Sequence, residues 1–157
     1  MLRSITRTSP HFVRTIRSLP SSLVSARERG APIDIHPEVE QALVDNGPLV
    51  ALETTIVTHG MPYPANLETA RSVERQVRSA GAIPATIGVI EGRVKIGLEP
   101  AQLEYLADVR TNRGLVKLSR RDIAAALALE KDGGTTCSAT LIFAALAGIK
   151  VSINLAS

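Results

Sequence analysis

Aromatic residues are scarce in this chain. They make up 3% of its 157 residues, and tryptophan is absent. That argues against the stacking platforms that hold single-stranded nucleic acid. A lone cysteine, Cys137, excludes a disulfide framework and a four-cysteine zinc site. No stretch approaches the ~18 uninterrupted apolar residues of a membrane span, and the longest apolar run, Leu141–Ile149, is broken by Gly148. Neither a Gly-x-Ser-x-Gly elbow nor a Gly-x-Gly-x-x-Gly fingerprint occurs. No two histidines have metal-ligand spacing, which makes a zinc site at His59 improbable. What remains is globular in character: 45% hydrophobic and 21% charged residues, with enough length for one domain.

Acidic residues are missing from the first 27 positions. Residues 1–29 hold six arginines, no lysine and one acid, Glu28, a net +5, whereas the remainder carries a net −2. The basicity therefore belongs to the leader and gives no sign of a nucleic-acid-binding body. The leader is rich in Arg, Ser and Thr. Leu2, Ile5, Phe12, Val13, Ile16 and Leu19 form a loose apolar face at ~3.6 residues per turn. Residues 1–30 thus have the composition of a mitochondrial transit peptide, with a disordered basic tail as the alternative. A secretory signal fits poorly, because no apolar core of roughly 7–15 residues follows the first charge.

Beyond the leader, strand and helix signals alternate. Pro32–Pro37 reads as a linker. A short helix begins at Pro37 and ends before Asn46-Gly47-Pro48. Leu49–Leu52 reads as a buried strand continuing through Ile56, and 59–64 as a loop. The pattern predicts a helix capped by Asn66, with Thr69, Ala70, Val73, Val77 and Ala80 on one face and Gly81 as its stop. Strands are expected at 85–90 and 94–98, turned by Glu91-Gly92. Helices are expected from Pro100, carrying Leu103 and Leu106, and over 122–129. Leu115–Leu118 reads as a strand and Lys131–Gly134 as a turn. An apolar helix capped by Thr135 or Thr136 runs to Ala147, with Gly148 as its stop, and 149–153 is a last strand. This alternation predicts an α/β fold with a largely parallel sheet.

Three places could carry chemistry. Glu53 follows an apolar run directly, where an unpartnered carboxylate is costly to bury; desolvation there would favour its protonated form, as a general acid requires. The competing reading is an exposed strand end or a structural ion pair. In Lys117–Asp122 (KLSRRD), Lys117 ends a strand and two arginines follow. Cations at the carboxyl end of a strand suit a phosphate, and the competing reading is a solvated charge run. Gly133–Ser138 (GGTTCS) leads glycines into a hydroxyl-rich helix start whose free N–H groups attract anions, or is simply an ordinary helix cap. Cys137 reads as a small buried helix residue.

Taken together, Val50–Ile56 (VALETTI), His59–Pro64 (HGMPYP), Gly81–Ile87 (GAIPATI), Lys117–Asp122, Gly134–Thr136 (GTT) and Ala144–Val151 (AALAGIKV) resemble, in order, the pseudouridine-5′-phosphate glycosidase family. The resemblance covers residues 33 to 151 and leaves the leader outside. It implies an α/β/α fold, a homotrimer and manganese. It also implies reversible cleavage of pseudouridine 5′-phosphate with water to uracil and ribose 5-phosphate, with neither nucleic acid nor membrane as a partner. The broken bond joins carbon to carbon, so protonating a leaving oxygen, the usual glycosidase device, is not open to it. In the family a lysine opens the sugar as an imine, which withdraws electrons from that bond. By motif position the proton-donor glutamate falls on Glu53, and the substrate contacts on Lys117 and Cys137.

Past Val151 the family continues into a glycine-rich segment. That segment and the residues beyond it supply the metal-binding aspartate and the nucleophilic lysine, whereas this chain reads Ser152–Ser157. Neither residue is expected here, and Lys95, Lys131 and Lys150 do not occupy the nucleophile's motif. The expectation is a family domain of which 31–151 is the N-terminal part and 152–157 a divergent end, leaving the sheet incomplete and the chain inactive alone. A non-catalytic fragment that binds full-length subunits, and a phosphate-binding module using Lys117 and the helix start at Thr136, are the alternatives.

Overall fold

A computed structural model describes residues 18–153. The elements run α1 (Ser21–Glu28), β1 (Ile33–Ile35), α2 (Pro37–Asp45), β2 (Leu49–Leu52), a π-turn (Ile56–Gly60), α3 (Ala65–Ser79), β3 (Ile83–Ile90), β4 (Arg93–Ile96), α4 (Pro100–Ala107), β5 (Val116–Leu118), α5 (Ile123–Ala128), β6 (Gly133–Thr135), α6 (Cys137–Ala147) and β7 (Val151–Ile153). The seven strands form one sheet in the order β1-β4-β3-β2-β7, with β6 on β3 and β5 on β6. Four pairings are parallel, β1 with β4, β2 with β3, β2 with β7 and β5 with β6. Two are antiparallel, β3 with β4 and β3 with β6. The sheet is thus largely parallel and the fold an open α/β.

The pairing of β3 decides where a site can form. On the side away from β4, β2 covers Ile83–Thr86 of β3, and β6 covers Gly88 and Val89 from the opposite direction. The carboxyl ends of β2 and β6 therefore meet nearly head-on beside Ile87. β5 runs parallel to β6, so its carboxyl end arrives there too. Ala51, Ala85, Ile87, Val89, Val94, Ile96 and Leu118 are 1% exposed or less and form the core, joined by Ala139, Ala144 and Ala147 of α6. Burying such aliphatic side chains contributes about 1.5–3 kcal/mol each for the larger ones.

Several sequence expectations change. The strand from Leu49 ends at Leu52, because Thr54 turns its N–H to Thr135 O at 3.1 Å and Thr55 is already helical in its backbone. The expected linker contains β1, which pairs with β4, and the expected turn at 131–134 contains the start of β6. Asn66 is not a cap. It lies inside α3, fully buried, where its Nδ2 donates to Val57 O at 2.6 Å and Ala107 O at 2.8 Å. Ala80 caps that helix, one residue before Gly81, and is exposed, not part of the buried face. Thr136 occupies the N-cap position of α6 and Gly148, left-handed at φ 77°, ends it.

The expected leader of 1–30 is divided. Residues 1–17 lie outside the described residues. Residues 21–28 form α1, with Leu23 fully buried in the core and Ser22 Oγ donating to Leu146 O of α6 at 2.8 Å. α1 therefore packs against α6 and the core. β7 lies at the other end of the path, paired with β2 alone among the described residues. Its Val151 and Ile153 are 51% and 39% exposed.

Candidate active site

Glu53, Lys117 and Cys137 come from three strand or helix ends that the topology brings to one place. Glu53 follows β2 directly and is buried, 5% exposed. Lys117 is the middle residue of β5, in register with Gly134 of β6, and is exposed. Cys137 opens α6, two residues past the end of β6, and is half-buried rather than buried. The three lie where the strand ends converge, the position at which open α/β sheets gather ligands.

A lattice of threonines fixes that junction. Thr54 Oγ1 and Thr135 Oγ1 each donate to Ile87 O at 2.7 Å. Thr54 Oγ1 also accepts from Thr135 N at 2.8 Å, and Thr55 Oγ1 donates to Thr135 O at 3.0 Å. Thr140 of α6 reaches Thr135 Oγ1 at 2.9 Å, which ties the helix start to the same lattice. Thr54, Thr135 and Thr140 are fully buried, and every buried side-chain polar atom among the described residues has a partner. Such a satisfied network specifies one arrangement, whereas a half-satisfied one destabilises.

Gly134 is required by this lattice. A Cβ there would sit 2.3 Å from Thr58 Oγ1 and 2.7 Å from Thr54 O. Gly133 is as confined, with Val116 O 2.1 Å from where its Cβ would be. These glycines serve close approach of β5 and the π-turn to β6 and not a flexible turn.

The Lys117–Asp122 segment is held by its last residue. Asp122 accepts from Ser119 N at 2.9 Å and Ser119 Oγ at 2.5 Å, and these bonds lower its pKa. Arg120 N lies 3.4 Å from Ser138 Oγ, so the loop abuts the start of α6. Ser119, Arg120, Arg121 and Ser138 line a shallow concavity of about 500 Å³. The Arg121 side chain is 91% exposed. Of the other lysines, Lys95 is paired with Asp34 at 2.6 Å on β4, and Lys131 and Lys150 are exposed.

His59, at the end of the π-turn, belongs to the same place. Its Nδ1 is 2.7 Å from Thr58 Oγ1. Partial burial of the ring and the nearby Lys117 ammonium hold its pKa below the ordinary histidine value. A π-turn is an uncommon element that concentrates at functional sites, and no spacing pattern in the sequence announces it. Among the described residues no group of three or more His, Cys, Asp or Glu side chains is placed to hold a metal ion. They do not fit the manganese that the resemblance implies. No described helix is long and apolar enough to cross a membrane.

A second concavity, of about 420 Å³, lies past the carboxyl ends of β1 and β4, where His36, Gly97 and Glu99 face Arg71, Arg75 and Arg78 of α3. Of its lining residues, Arg78 pairs with Glu38 at 2.6 Å, Arg71 reaches out to Glu104 at 3.2 Å, and His36 Nε2 lies 3.1 Å from Glu99.

The fold agrees with the comparisons. The family described as "Indigoidine synthase A like protein" matches residues 38–154. The pseudouridine-5′-phosphate glycosidase of Jannaschia sp. (strain CCS1) is 57% identical over 120 residues, 76% of this chain and 39% of that protein. The enzyme of the same name from Brachyspira hyodysenteriae (strain ATCC 49526 / WA1) is 50% identical over 119 residues, 76% of this chain and 38% of that one. The prealnumycin C-glycosynthase AlnA, solved in complex with ribulose 5-phosphate, superposes with a TM-score of 0.66 at 38% identity, over 76% of this chain and 37% of AlnA. An indigoidine synthase A-like protein from Thermotoga maritima gives 0.67 at 29% identity, over 78% and 38% of the two chains. The chain belongs to the indigoidine synthase A-like family, which includes the pseudouridine-5′-phosphate glycosidases, and spans about two fifths of the length of these relatives.

Proposed function

We propose that this chain supplies the sugar-phosphate-facing N-terminal part of a pseudouridine-5′-phosphate glycosidase domain. The complete domain reversibly cleaves pseudouridine 5′-phosphate with water to uracil and ribose 5-phosphate. The observation that carries this reading is the convergence of Glu53, Lys117 and Cys137 at one threonine-locked junction. Glu53 is the proton donor, delivering a proton to the uracil carbon as the carbon–carbon bond breaks. Lys117 and Cys137 contact the substrate, and the Lys117 ammonium is the charge that attracts an anionic group of it.

The imine-forming lysine belongs to the remainder of the domain, as do manganese and its aspartate. Without that lysine nothing withdraws electrons from the carbon–carbon bond, so the chain alone binds ribose 5-phosphate without turnover. AlnA, with ribulose 5-phosphate in its structure, supports a pentose phosphate as the ligand class. In this reading the complete enzyme is a homotrimer. The arginine-rich leader, residues 1–30, directs mitochondrial import.

Titration of the 157-residue protein with ribose 5-phosphate, followed by calorimetry, tests the reading. Saturable binding is expected, weakened roughly 10–100-fold in Lys117→Ala, the loss typical of a hydrogen bond to a charged group. Absence of binding, or an affinity that Lys117→Ala leaves unchanged, would overturn it.

A further inference from the structure

Resting on that reading, we infer that His59 is an additional ligand-facing residue of the site, with Nε2 placed to accept a hydrogen bond from a sugar hydroxyl. Thr58 sets the tautomer. Its hydroxyl lies 3.2 Å from Thr54 O and 3.5 Å from Thr55 O, the back-bonding geometry of threonine in a helical turn. A hydroxyl has one proton to give. With that proton directed to the backbone, Thr58 Oγ1 meets His59 Nδ1 at 2.7 Å as the acceptor, and Nδ1–H is the donor. In a neutral imidazole the proton on Nδ1 leaves a lone pair on Nε2.

The neighbourhood keeps the ring neutral and in place. Partial burial disfavours imidazolium, and the positive charge of nearby Lys117 acts in the same sense. Thr58 cannot drift, because Gly134 packs against it so closely that a single added methyl would strike its hydroxyl. His59 is nonetheless exposed, as a group that meets a ligand must be. The division of labour with Lys117 follows from charge. An ammonium attracts phosphate, whereas a neutral nitrogen lone pair repels phosphate oxygen and welcomes an O–H. His59 thus favours a polyhydroxylated ligand over a bare anion.

Nitrogen-15 NMR of the histidine rings in the full 157-residue chain tests this, with His59→Gln to assign the signal. The free protein should show His59 protonated at Nδ1 and bare at Nε2. Ribose 5-phosphate should shift the Nε2 resonance, and inorganic phosphate at equal saturation should not. His59→Gln should weaken ribose 5-phosphate by roughly 3–10-fold and leave the affinity for inorganic phosphate unchanged. An Nε2–H tautomer in the free protein would overturn the inference, as would an equal response to phosphate alone. A silent His59 while calorimetry shows ribose 5-phosphate binding that Lys117→Ala weakens would remove His59 and leave the proposed function standing. No response anywhere in the protein would remove both. The spectra of the unsubstituted chain decide these outcomes even if His59→Gln fails to fold.

Discussion

Thr54 and Thr135, separated by 81 residues in sequence, donate to the same carbonyl, Ile87 O, each at 2.7 Å. One acceptor thereby locks the carboxyl ends of β2 and β6 together. It also seats the backbone from which Glu53 and Cys137 project.

Removing either hydroxyl leaves buried partners unsatisfied. Thr135→Val keeps the shape but strips the donor to Ile87 O and the partner of Thr140 Oγ1. A destabilisation of about 1–3 kcal/mol is expected, seen as a lower urea midpoint. Thr54→Val and Thr135→Val should combine non-additively, because they share an acceptor. Strict additivity in a double-mutant cycle would contradict the shared lock.

Gly134→Ala should cost about 1–3 kcal/mol through overpacking, since the new methyl meets Thr58 Oγ1 and the Thr54 backbone. Gly114→Ala is the matched control, because nothing lies within 4 Å of its would-be Cβ. Chemical denaturation of the two variants should separate them clearly. Equal midpoints would show that β6 can move away from the π-turn.

Completing the domain with the unmatched remainder of the Jannaschia glycosidase tests Glu53 itself. Uracil release by such a chimera should fall by ~10²–10⁴-fold in Glu53→Gln, the usual cost of a lost proton donor. Ribose 5-phosphate affinity should change little. A Gln variant that turns over near the parental rate would assign the proton to another group.

Acid sensitivity should begin at the far edge of the sheet. Asp34 on β1 faces Arg93 at 2.6 Å and Lys95 at 2.6 Å on β4. The Arg93 hydrogen bonds, aided by Lys95, hold its carboxyl well below the usual range. A depressed folded-state pKa stabilises the native protein above the unfolded value, near ~3.9, and that contribution is lost as the pH falls through the folded value. Because the pair is largely solvent-exposed, about 0.2–1 kcal/mol is at stake. Asp34→Asn should lower the urea midpoint at pH 7 and flatten its decline below pH ~4. An unchanged acid limb would locate the sensitivity elsewhere.

Legibility followed the reach of each residue's interactions. Leu49–Leu52 and the apolar helix ended by Gly148 were readable because burial pattern and backbone conformation are local. Gly133 and Gly134 misled, since glycine signals a turn and a close strand approach alike, and only Val116 O and Thr58 tell them apart. Asn66 carried the composition of a cap but finds its acceptors at Val57 and Ala107, the second 41 residues away. β1 was hidden among prolines because its only ladder partner among the described residues is β4. Glu53 and Lys117 stood out as charges beside apolar strand residues, and their meeting with Cys137 followed family resemblance. The threonine lattice that joins them, and the part His59 plays beside it, left no periodic trace.

The head-on meeting of β2 and β6 also has a kinetic meaning. Residues 54, 87 and 135 must all be in place before Glu53 has its seat, so no local segment carries a partial site. Pairings of such long sequence separation form late and slowly. A ligand of this junction would therefore recognise only the finished sheet. By linkage it would stabilise the native state by RT ln(1 + [L]/Kd) and so raise the thermal midpoint, making the melting curve a gauge of occupancy.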